Sequence, residues 1–434
     1  MTTDFQNTLY TQDNLFVLYG LNSDLVDLIY LDPPFNSKRM YSAPVGSKAA
    51  GSSFKDMWEW KDINEAYLEK LTEKYPTLVR FISSIGNMHS KEMMAYITYM
   101  AQRIIELHRV LKDTGSFYLH CDPTASHYLK GLLDIIFGKN NFRNEIIWHY
   151  EKWTAPSKIQ YQKNHDVILH YSKSQNVKFN IQFHLTDNLE EKYAKGYSTG
   201  GGAGSNGLII YDKNSLKAKQ LAESGKYIVR YEEPKGKPLS DVWQIPIINP
   251  MSKERTGYPT QKPLALLKRI IEASSKVGDI VLDPFCGCAT TCVSAQMLNR
   301  KWIGIDIAEK SASILLERLS EAGNFLPNDK FVHRLDIPKR TDVKEESDKN
   351  PNVKKQLFKE QEGKCNGCHM DFPEKIMEVD HIVPKAKGGG DYYENYQLLC
   401  SACNRVKGAR PMDYLRMKIK AIEEKLKLQF TFGE

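Results

Sequence analysis

A short apolar strand that ends in two prolines constrains this 434-residue chain more than any other feature of its sequence. The run DLIYL at 27–31 has the composition of a buried strand, and it stops at the segment DPPFN at 32–36. Proline cannot donate a backbone hydrogen bond, so two in succession end the strand and make the chain turn. The sequence therefore predicts an acid and an aromatic ring on a rigid turn at a strand end.

Helical and strand patterns alternate around this turn. Apolar residues recur at spacings of three and four from Glu92 to Lys112, which predicts an amphipathic helix that ends at 113–115. The other predicted elements are strands at 116–121, 145–149, 166–171, 279–283 and 302–306, and helices at 125–137, 263–276, 289–299 and 308–322. Strand–helix–strand order with short turns favours a mostly parallel α/β sheet.

The middle of the chain is less regular and more basic. Between about 172 and 258, the segments 198–207 and 232–240 have the composition of loops. Residues 144–262 carry 17 Lys+Arg against 12 Asp+Glu, so most of the net charge of +7 lies there. This segment also carries the rings Trp148, His149, Tyr150, Trp153, Tyr161, His165, His170 and Tyr171. Basic groups beside such rings are typical of nucleic-acid binding, and a solvated basic face over core aromatics is the alternative.

Four of the eight cysteines form two CxxC pairs, at 365–368 and 400–403. Thiolates at these spacings predict a structural zinc site in a reducing compartment rather than a set of disulfides. The charged stretch 339–351 is predicted to link a separate C-terminal unit, 352–434, to the rest. No apolar run could span a bilayer and the N-terminus has no signal-peptide pattern, so we expect no membrane and a cytoplasmic protein.

The turn after the first strand suits attack by an aromatic amine. The Asp32 carboxylate and a nearby carbonyl can accept both hydrogens of an exocyclic amino group, while Phe35 stacks on the ring that carries this group. Two acceptors draw the delocalised lone pair out of the ring and orient the nitrogen for in-line attack. The tetrapeptide alone leaves open a proline-rich strand exit without chemistry.

A second turn, DPFCGCATT at 283–291, follows a strand and opens a helix, where the backbone can approach a ligand closely. Asp306 ends the next strand, and an acid there can accept hydrogen bonds from ribose hydroxyls. Neither GxGxxG nor a Walker sequence accompanies this turn. A cofactor with a ribose and no phosphate fits better than NAD or ATP, and S-adenosylmethionine is such a cofactor.

Together the two turns make residues 9–322 resemble the amino-methylating DNA methyltransferases. That family has an (Asp/Asn/Ser)-Pro-Pro-aromatic catalytic motif and a Phe-x-Gly-x-Gly cofactor motif. The catalytic motif comes first here, which is the order of the β group, and PTQKP at 259–263 resembles the segment before that group's cofactor turn. The resemblance implies a Rossmann-like, S-adenosylmethionine-dependent methyltransferase over 1–338, with a target-recognition region at about 150–258.

The resemblance also implies roles for individual residues. Asp32, Pro33, Pro34 and Phe35 would form the catalytic turn, with Asp32 and the Pro33 backbone on the target amine and Phe35 on the base. That base must first flip out of the duplex. The implied cofactor-binding residues are Asp283, Phe285, Gly287, Ala289, Thr290, Asp306 and Lys262.

Details at single positions refine this resemblance. Asp32 in place of serine favours adenine N6, and cytosine N4 is the alternative. Cytosine C5 methylation needs a cysteine nucleophile, usually after proline, and the chain has no Pro-Cys dipeptide; the cysteines within 286–292 are predicted to pack around the cofactor turn. Ala289 replaces the second glycine of the cofactor motif, and Gln12 stands where members often have glycine before Asp13.

The segment 357–410 resembles the HNH nucleases, whose ββα-metal hairpin carries Asp-His-x-x-Pro, a central Asn and a final His or Asn. The chain has Asp380-His381-Ile-Val-Pro, then Asn395, and finally Asn404. The resemblance implies a small zinc-stapled domain whose zinc ligands are Cys365, Cys368, Cys400 and Cys403.

In that resemblance His381 would be the general base for water that attacks phosphorus, and Asn395 would orient its ring. Asp380 and Asn404 would hold one Mg²⁺ or Mn²⁺ ion against the scissile phosphate. The contacts to DNA phosphate would come from Lys407 and Arg405. A degenerate nuclease fold that only binds DNA is the alternative.

The sequence therefore predicts a prokaryotic or phage enzyme that acts on double-stranded DNA: an adenine-N6 methyltransferase fused to an HNH endonuclease, with a restriction–modification role. A homodimer would suit a symmetric site. Two alternatives stay open. In the first, only methylation is active and the zinc unit only binds DNA, and the target can then also be cytosine N4. The second is a nucleic-acid binder without catalysis.

Overall fold

The structure is a computed structural model, and it describes residues 7–35, 39–44, 46–50, 53–56, 75–152, 158–185, 187–199, 206–233, 236–321, 331–387, 389–410, 412, 414–416, 418–419 and 421–422. Asn36, Trp153 and most of the loop predicted at 198–207 lie outside the described residues. The chain forms two compact units, one of residues 1–178 with 242–434 and one of residues 179–241.

A nine-stranded sheet lies at the centre of the larger unit. In spatial order its strands are β13 (Val242–Gln244), β6 (Phe142–His149), β7 (His165–Ser172), β5 (Leu111–Cys121), β2 (Val26–Leu31), β14 (Ile280–Asp283), β15 (Lys301–Asp306), β1 (Thr8–Thr11) and β16 (Val332–Arg334). Only the pairs that β7 makes with β5 and β6 are antiparallel within this sheet. The prediction of a mostly parallel α/β sheet is confirmed. A separate antiparallel pair joins β3 (Arg39–Ser42) and β4 (Ser53–Asp56).

The helices around this sheet are α1 (Asn14–Gly20), α2 (Pro76–Met88), α3 (Lys91–Val110), α4 (Ser126–Leu133), α7 (Leu264–Ser274), α8 (Thr290–Met297) and α9 (Lys310–Glu321). The helix predicted from Glu92 to Lys112 ends earlier, at Val110. Leu111 already has extended backbone and pairs with Val26 in the sheet. Its side chain is fully buried, so strand pairing replaces the helical pattern before the predicted break at 113–115.

Apolar side chains cover both faces of the sheet. On one face Ile104 and Leu107 of α3 belong to the core that contains Ile29 of β2. On the other face Ile270 of α7 belongs to the core that contains Leu28. Neighbouring residues of a strand point to opposite faces, so a strand covered on both sides is a nearly continuous apolar run, as residues 28–31 are.

The smaller unit has short elements: β8 (Phe183–His184), α5 (Asp187–Lys195), β9 (Tyr197–Thr199), β10 (Gly207–Ile210), α6 (Leu216–Glu223), β11 (Ile228–Tyr231) and β12 (Lys237–Pro238). Its core contains Leu208, Ile210 and Ala218. The loop predicted at 232–240 was partly wrong, because Lys237 and Pro238 pair with β8. A two-residue strand is too short to produce a periodic sequence signal.

The last part of the described chain forms a ββα arrangement within the larger unit. Its elements are α10 (Pro351–Glu360), the antiparallel strands β17 (Met377–His381) and β18 (Tyr396–Cys400), and α11 (Ser401–Lys407). The stretch predicted as a linker has no helix or strand before Pro351, but hydrogen bonds fasten it at both ends. The Thr341 N–H donates to Asn22, and the Glu346 N–H donates to the Asp391 carbonyl.

None of the helices in the described residues combines the length and the apolar character needed to cross a membrane.

Candidate active sites

A cavity of about 470 Å³ lies where the parallel strands β1, β2, β14 and β15 end. Parallel strands run in the same direction, so the residues that follow them meet at one edge of the sheet. This cavity brings together every predicted methyltransferase residue except Ala289. The members that line it are Asp32, Pro33, Pro34, Phe35, Lys262, Asp283, Phe285, Gly287, Thr290 and Asp306.

Asp32, on the turn after β2, has one carboxylate oxygen in an ion pair and the other without a partner. Its Oδ2 accepts from the Lys262 ammonium. Its Oδ1 is buried and has no hydrogen-bond partner in the part of the chain that the structure describes. A buried acceptor without a donor costs about 1–3 kcal/mol, so this oxygen marks a place where a donor can bind with gain.

Lys262 contacts the catalytic turn directly. Besides Asp32, its ammonium donates to the Thr260 carbonyl at 3.2 Å and lies 5.5 Å from the centre of the Phe35 ring. Thr260 has a φ of 63°, a conformation that is strained for a β-branched residue and that is found mainly at functional sites. The cofactor-binding role of Lys262 stays a prediction.

Asp283 ends β14 and is fully engaged by its own turn. The Phe285 N–H donates to its Oδ1 at 3.0 Å, and the Thr291 hydroxyl donates to its Oδ2. Burial raises the pKa of Asp283 to about 7, although these two donors act in the opposite direction. The group therefore changes charge near neutral pH, and a cation in the cavity would favour its ionised form.

Asp306 holds the second turn in place. Its Oδ2 accepts from the Gly287 N–H and its Oδ1 from the Ala308 N–H, both at 2.8 Å, and burial raises its pKa. Gly287 has a φ of 50°, and a Cβ there would lie 2.9 Å from the Tyr258 ring. Glycine is thus required at 287. The ribose contact expected of Asp306 would have to share oxygens that already accept backbone amides.

Of the two residues that begin the helix after the cofactor turn, Thr290 lines the cavity and Ala289 does not. Ala289 is fully buried with a φ of 59° and is not among the described residues that line the cavity. Its role is therefore to form the turn rather than to line the cavity. A glycine would adopt this positive φ with less strain. The hydroxyl of Thr290 lines the cavity wall while it accepts from Arg318 at 2.9 Å.

Asn14 and Arg103 were missed in the sequence. The Asn14 side chain donates to the Pro284 carbonyl at 2.8 Å and accepts from the Arg103 Nε at 2.7 Å, and Arg103 also donates to Asp13 at 3.2 Å. These bonds tie α1 and α3 to the cofactor turn. A signal existed, because Arg103 lies on the apolar face of α3, three residues after Met100, and a charge there needs a partner.

The four cysteine sulfurs predicted to bind zinc lie within 4.8 Å of one another. Cys365, Cys400 and Cys403 are buried and Cys368 is half-buried. Four converging thiols with little exposure are the donor set of a structural zinc site, so the cluster fits a zinc-binding module.

His381 ends β17 and is almost fully buried. Its Nε2 is 2.8 Å from Asp391 Oδ1. Burial would raise the pKa of Asp391, but Lys385, His381 and Tyr396 hold it at about 2. Asp391 is therefore ionised and accepts the hydrogen bond from Nε2–H of His381.

The role predicted for Asn395 was wrong in its contact, because Asp391 rather than Asn395 orients the His381 ring. Asn395 is buried and binds backbone instead: its Oδ1 accepts from the Val383 N–H at 2.8 Å, and its Nδ2 donates to the carbonyls of Val383 and Gly390. It closes the loop between the two strands. Sequence spacing identified the residue but could not show which way its amide points.

The two predicted Mg²⁺ ligands are each held by protein partners. Lys407 Nζ lies 2.9 Å from Asp380 Oδ2, and Gln397 donates to the same carboxylate. The Asn404 amide donates to Glu378. The Asp380 carboxylate therefore already has a cation beside it. Lys407 is also too buried to contact DNA phosphate, which corrects that prediction, whereas Arg405 is exposed.

Two family matches account for both groups of residues. Residues 26–317 match the N6/N4 DNA methylase family, and residues 365–410 match the HNH endonuclease family. Since the first match covers more than half of the chain, the protein belongs to the N6/N4 DNA methylase family, and an HNH domain follows the methylase in the same chain.

Known methyltransferases are similar in sequence to this chain. The type II methyltransferase M.EcaI of Enterobacter cloacae is 28 % identical over 350 residues, which are 72 % of this chain and 69 % of the relative. The DNA adenine methyltransferase YhdJ of Escherichia coli K12 is 26 % identical over 324 residues, 73 % of this chain and 84 % of the relative. The solved structure of TTHA0409 from Thermus thermophilus, complexed with S-adenosyl-L-methionine, is 17 % identical, with a TM-score of 0.40 over 76 % of this chain and 98 % of that one.

Proposed function

We propose that the protein methylates adenine N6 in double-stranded DNA. The observation that carries the proposal is the buried Asp32 Oδ1, an acceptor without a partner among the described residues, at a cavity that Phe35 also lines. An amino group of a flipped base would donate one hydrogen to this oxygen and the other to the Pro33 carbonyl. Phe35 would stack on the base, which fixes the nitrogen for attack.

The cavity fits S-adenosylmethionine. The acids at the ends of β14 and β15 can face its positive charge and its ribose, and Gly287 leaves a space that a Cβ would fill. The residues that would hold it are Asp283, Phe285, Gly287, Thr290 and Asp306, with Ala289 behind the turn and Lys262 beside it. When bound, the cofactor supplies an electrophilic methyl group. The residues of the chain orient the amine and accept the proton that the nitrogen loses. Asp32 is our candidate for the base that accepts it.

Cytosine N4 is the second candidate, because it is also an aromatic amine that two acceptors could orient. The experiment is to express the protein in a host without other DNA methylation, hydrolyse the DNA and identify the methylated nucleoside by mass spectrometry. N6-methyl-2′-deoxyadenosine supports the proposal, and N4-methyl-2′-deoxycytidine would replace it. Sequencing the methylated positions in the same DNA gives the recognition site. Transfer of no methyl group at all would end the methyltransferase proposal.

We further propose that the HNH domain cuts DNA. The support is the His381–Asp391 pair, which leaves Nδ1 as a base at the end of β17, near the exposed Arg405 that could contact phosphate. Unmethylated plasmid incubated with Mg²⁺ or Mn²⁺ tests the proposal. If the plasmid stays intact under both ions, the nuclease proposal fails, and the alternative that the sequence left open, a zinc unit that only binds DNA, remains.

Both proposals together describe a restriction–modification enzyme that marks and cuts one recognition site. The region 150–258, with its basic and aromatic residues, is our candidate for reading that site. Lys158 and Tyr161 are among its exposed residues. Two copies on a palindromic site would explain a homodimer, which sedimentation of the protein with a site-containing duplex tests.

A further inference from the structure

The face of Phe35 has a buried support that no motif includes. The ring of His120, on β5, stacks on it with 5.8 Å between ring centres and 25° between planes. His120 is fully buried and meets Trp148 edge-on, with ring centres 5.6 Å apart. An aromatic ring that is to stack on a base on one side is thus backed by a second ring on the sheet.

The ring of His120 is held by a hydrogen bond on each nitrogen. Its Nδ1 lies 2.9 Å from the Tyr30 hydroxyl, and its Nε2 lies 3.1 Å from Asp166 Oδ2. The Tyr150 hydroxyl donates to the other oxygen of Asp166 at 3.1 Å. Burial would raise the pKa of Asp166, but the bond from His120 is the main cause that keeps it below its usual value. Because Asp166 is ionised, Nε2–H donates to it, while Nδ1 pairs with the Tyr30 hydroxyl.

Burying these four polar groups costs free energy of folding, which indicates that the arrangement has a function. A carboxylate, an imidazole and two phenols inside a sheet must all be satisfied, whereas apolar side chains would pack there without that demand. Tyr30, His120 and Asp166 come from three neighbouring strands, β2, β5 and β7, so the ring plane is fixed by the most rigid part of the fold. Tyr30 also lines the cavity.

We propose that His120 is a positioning residue for the target base: it sets the plane of Phe35, and Tyr30 and Asp166 set the plane of His120. The inference rests on the proposed stacking of Phe35 on a flipped base. It adds a residue that acts on the base through Phe35 and has no contact with the cofactor turn among those that the structure describes.

The test compares His120→Ala with His170→Ala. His170 is the matched control, because it is also a buried histidine of the same sheet that stacks on a ring and forms a hydrogen bond. Its stacking partner is Tyr118, with 4.1 Å between ring centres, and its hydrogen-bond partner is Ser116. Both variants are assayed on a duplex with the recognition site found by methylation sequencing. The measurements are kcat and KM for DNA, the Kd of S-adenosylmethionine, and the fluorescence of 2-aminopurine placed at the target base, which reports flipping.

For His120→Ala we expect kcat/KM for DNA to fall roughly 10- to 100-fold and the fluorescence rise to be lost, while the Kd of the cofactor changes less than about twofold. His170→Ala should keep both DNA signals. Equal behaviour of the two variants, or a loss confined to the cofactor's Kd, would overturn the inference.

His120→Phe keeps the test decisive if the alanine variant does not fold. A phenyl ring restores the surface behind Phe35 but leaves Asp166 and Tyr30 without their nitrogen partners, so we expect part of the fluorescence signal to return. A phenylalanine variant that flips and methylates like the wild type would show that the hydrogen bonds do not matter. A wild type that methylates no DNA would instead count against the proposed function and not against this inference alone.

Discussion

The two candidate sites differ in how many of their polar groups are left open. In the methyltransferase cavity Asp32 pairs with Lys262 through one oxygen and leaves the other without a partner among the described residues. In the HNH domain each predicted polar residue is already taken: Asp380 by Lys407, His381 by Asp391, and Asn404 by Glu378.

This contrast follows from how the two sites are built. The cavity lies at the edge of a nine-stranded sheet. The strand ends there are rigid, and the large core stabilises the fold enough to offset the cost of an unsatisfied acceptor. A ββα hairpin has a small core and must satisfy its polar groups locally. We therefore expect methylation to need no rearrangement of its polar groups, and cutting to require that Asp380 exchange Lys407 for a metal ion.

The largest expected effect is on the open acceptor. Asp32→Ala removes the oxygen that would accept from the target amine, and it leaves the Lys262 ammonium without its carboxylate partner. We expect methyl transfer from labelled S-adenosylmethionine to fall by about 10³-fold. Bound zinc and plasmid cutting should be unchanged, and a variant that loses zinc would show that the two sites are not independent.

The next effect is on the closed site. His381→Ala removes the proposed base and should slow plasmid cutting roughly 100-fold or more, with methylation intact. Asp391→Asn keeps the ring but weakens its orientation, so a loss on the order of ten-fold is expected. Asn395→Ala is the control variant, because Asn395 hydrogen-bonds the backbone of the loop. We expect it to cut less only to the extent that its melting temperature is lower. If Asp391→Asn cuts at the wild-type rate, the pair has no catalytic part.

Sequence alone predicted the elements that repeat a pattern. The strand before the first turn and the helices around the sheet are visible because burial on known faces produces periodic apolar residues. The turns 32–35 and 283–291 were joined in the sequence only through the family resemblance, and the structure brings them together because parallel strands end at one edge of a sheet.

What sequence could not predict is the direction in which a polar side chain points. Asn395 and Lys407 were picked out by their spacing from His381, yet only coordinates show that Asp391 holds His381 and that Lys407 is buried on Asp380. His120 was not singled out because its partners, Tyr30 and Asp166, are 90 and 46 residues away. Such pairs arise from tertiary packing and leave no local spacing.

A smaller effect concerns pH at the open site. Asp283 has a pKa of about 7 because it is buried, so it is protonated below neutral pH and ionised above. A cationic cofactor favours the ionised form, so the Kd of S-adenosylmethionine should tighten about tenfold from pH 6 to pH 8. Asp283→Asn cannot ionise and should bind weakly with a flat profile. A wild-type Kd that does not change with pH would remove Asp283 from the cofactor's surroundings.

The raised pKa of Asp283 has a second consequence, in the free protein. An aspartate that ionises near pH 4 when unfolded and near pH 7 when folded binds its proton more tightly in the folded state. Its contribution therefore lowers the free energy of unfolding as pH rises from about 4 to 7, and then becomes constant. Denaturant unfolding of the wild type and of Asp283→Asn at several pH values between about 4 and 7 isolates the effect. The difference between their free energies of unfolding should shrink towards low pH.

The smallest effect tests whether the two sites are mechanically joined. The Tyr392 hydroxyl, next to Asp391, donates to the Tyr19 carbonyl of α1 at 3.3 Å, and the Arg340 guanidinium lies 5.7 Å from the centre of the Tyr392 ring. Tyr392→Phe keeps the ring and removes only the hydrogen bond, so we expect about 1 kcal/mol less stability. Tyr161→Phe is the control, because Tyr161 is 97 % exposed.

The readout has to separate the two regions, so zinc release during thermal unfolding reports the HNH domain and loss of cofactor binding reports the sheet. If the bond joins them, Tyr392→Phe lowers the temperature of both signals together. A shift of zinc release alone would mean that the HNH domain unfolds by itself. The closed site could then rearrange without disturbing the open one, and cutting could be controlled independently of methylation.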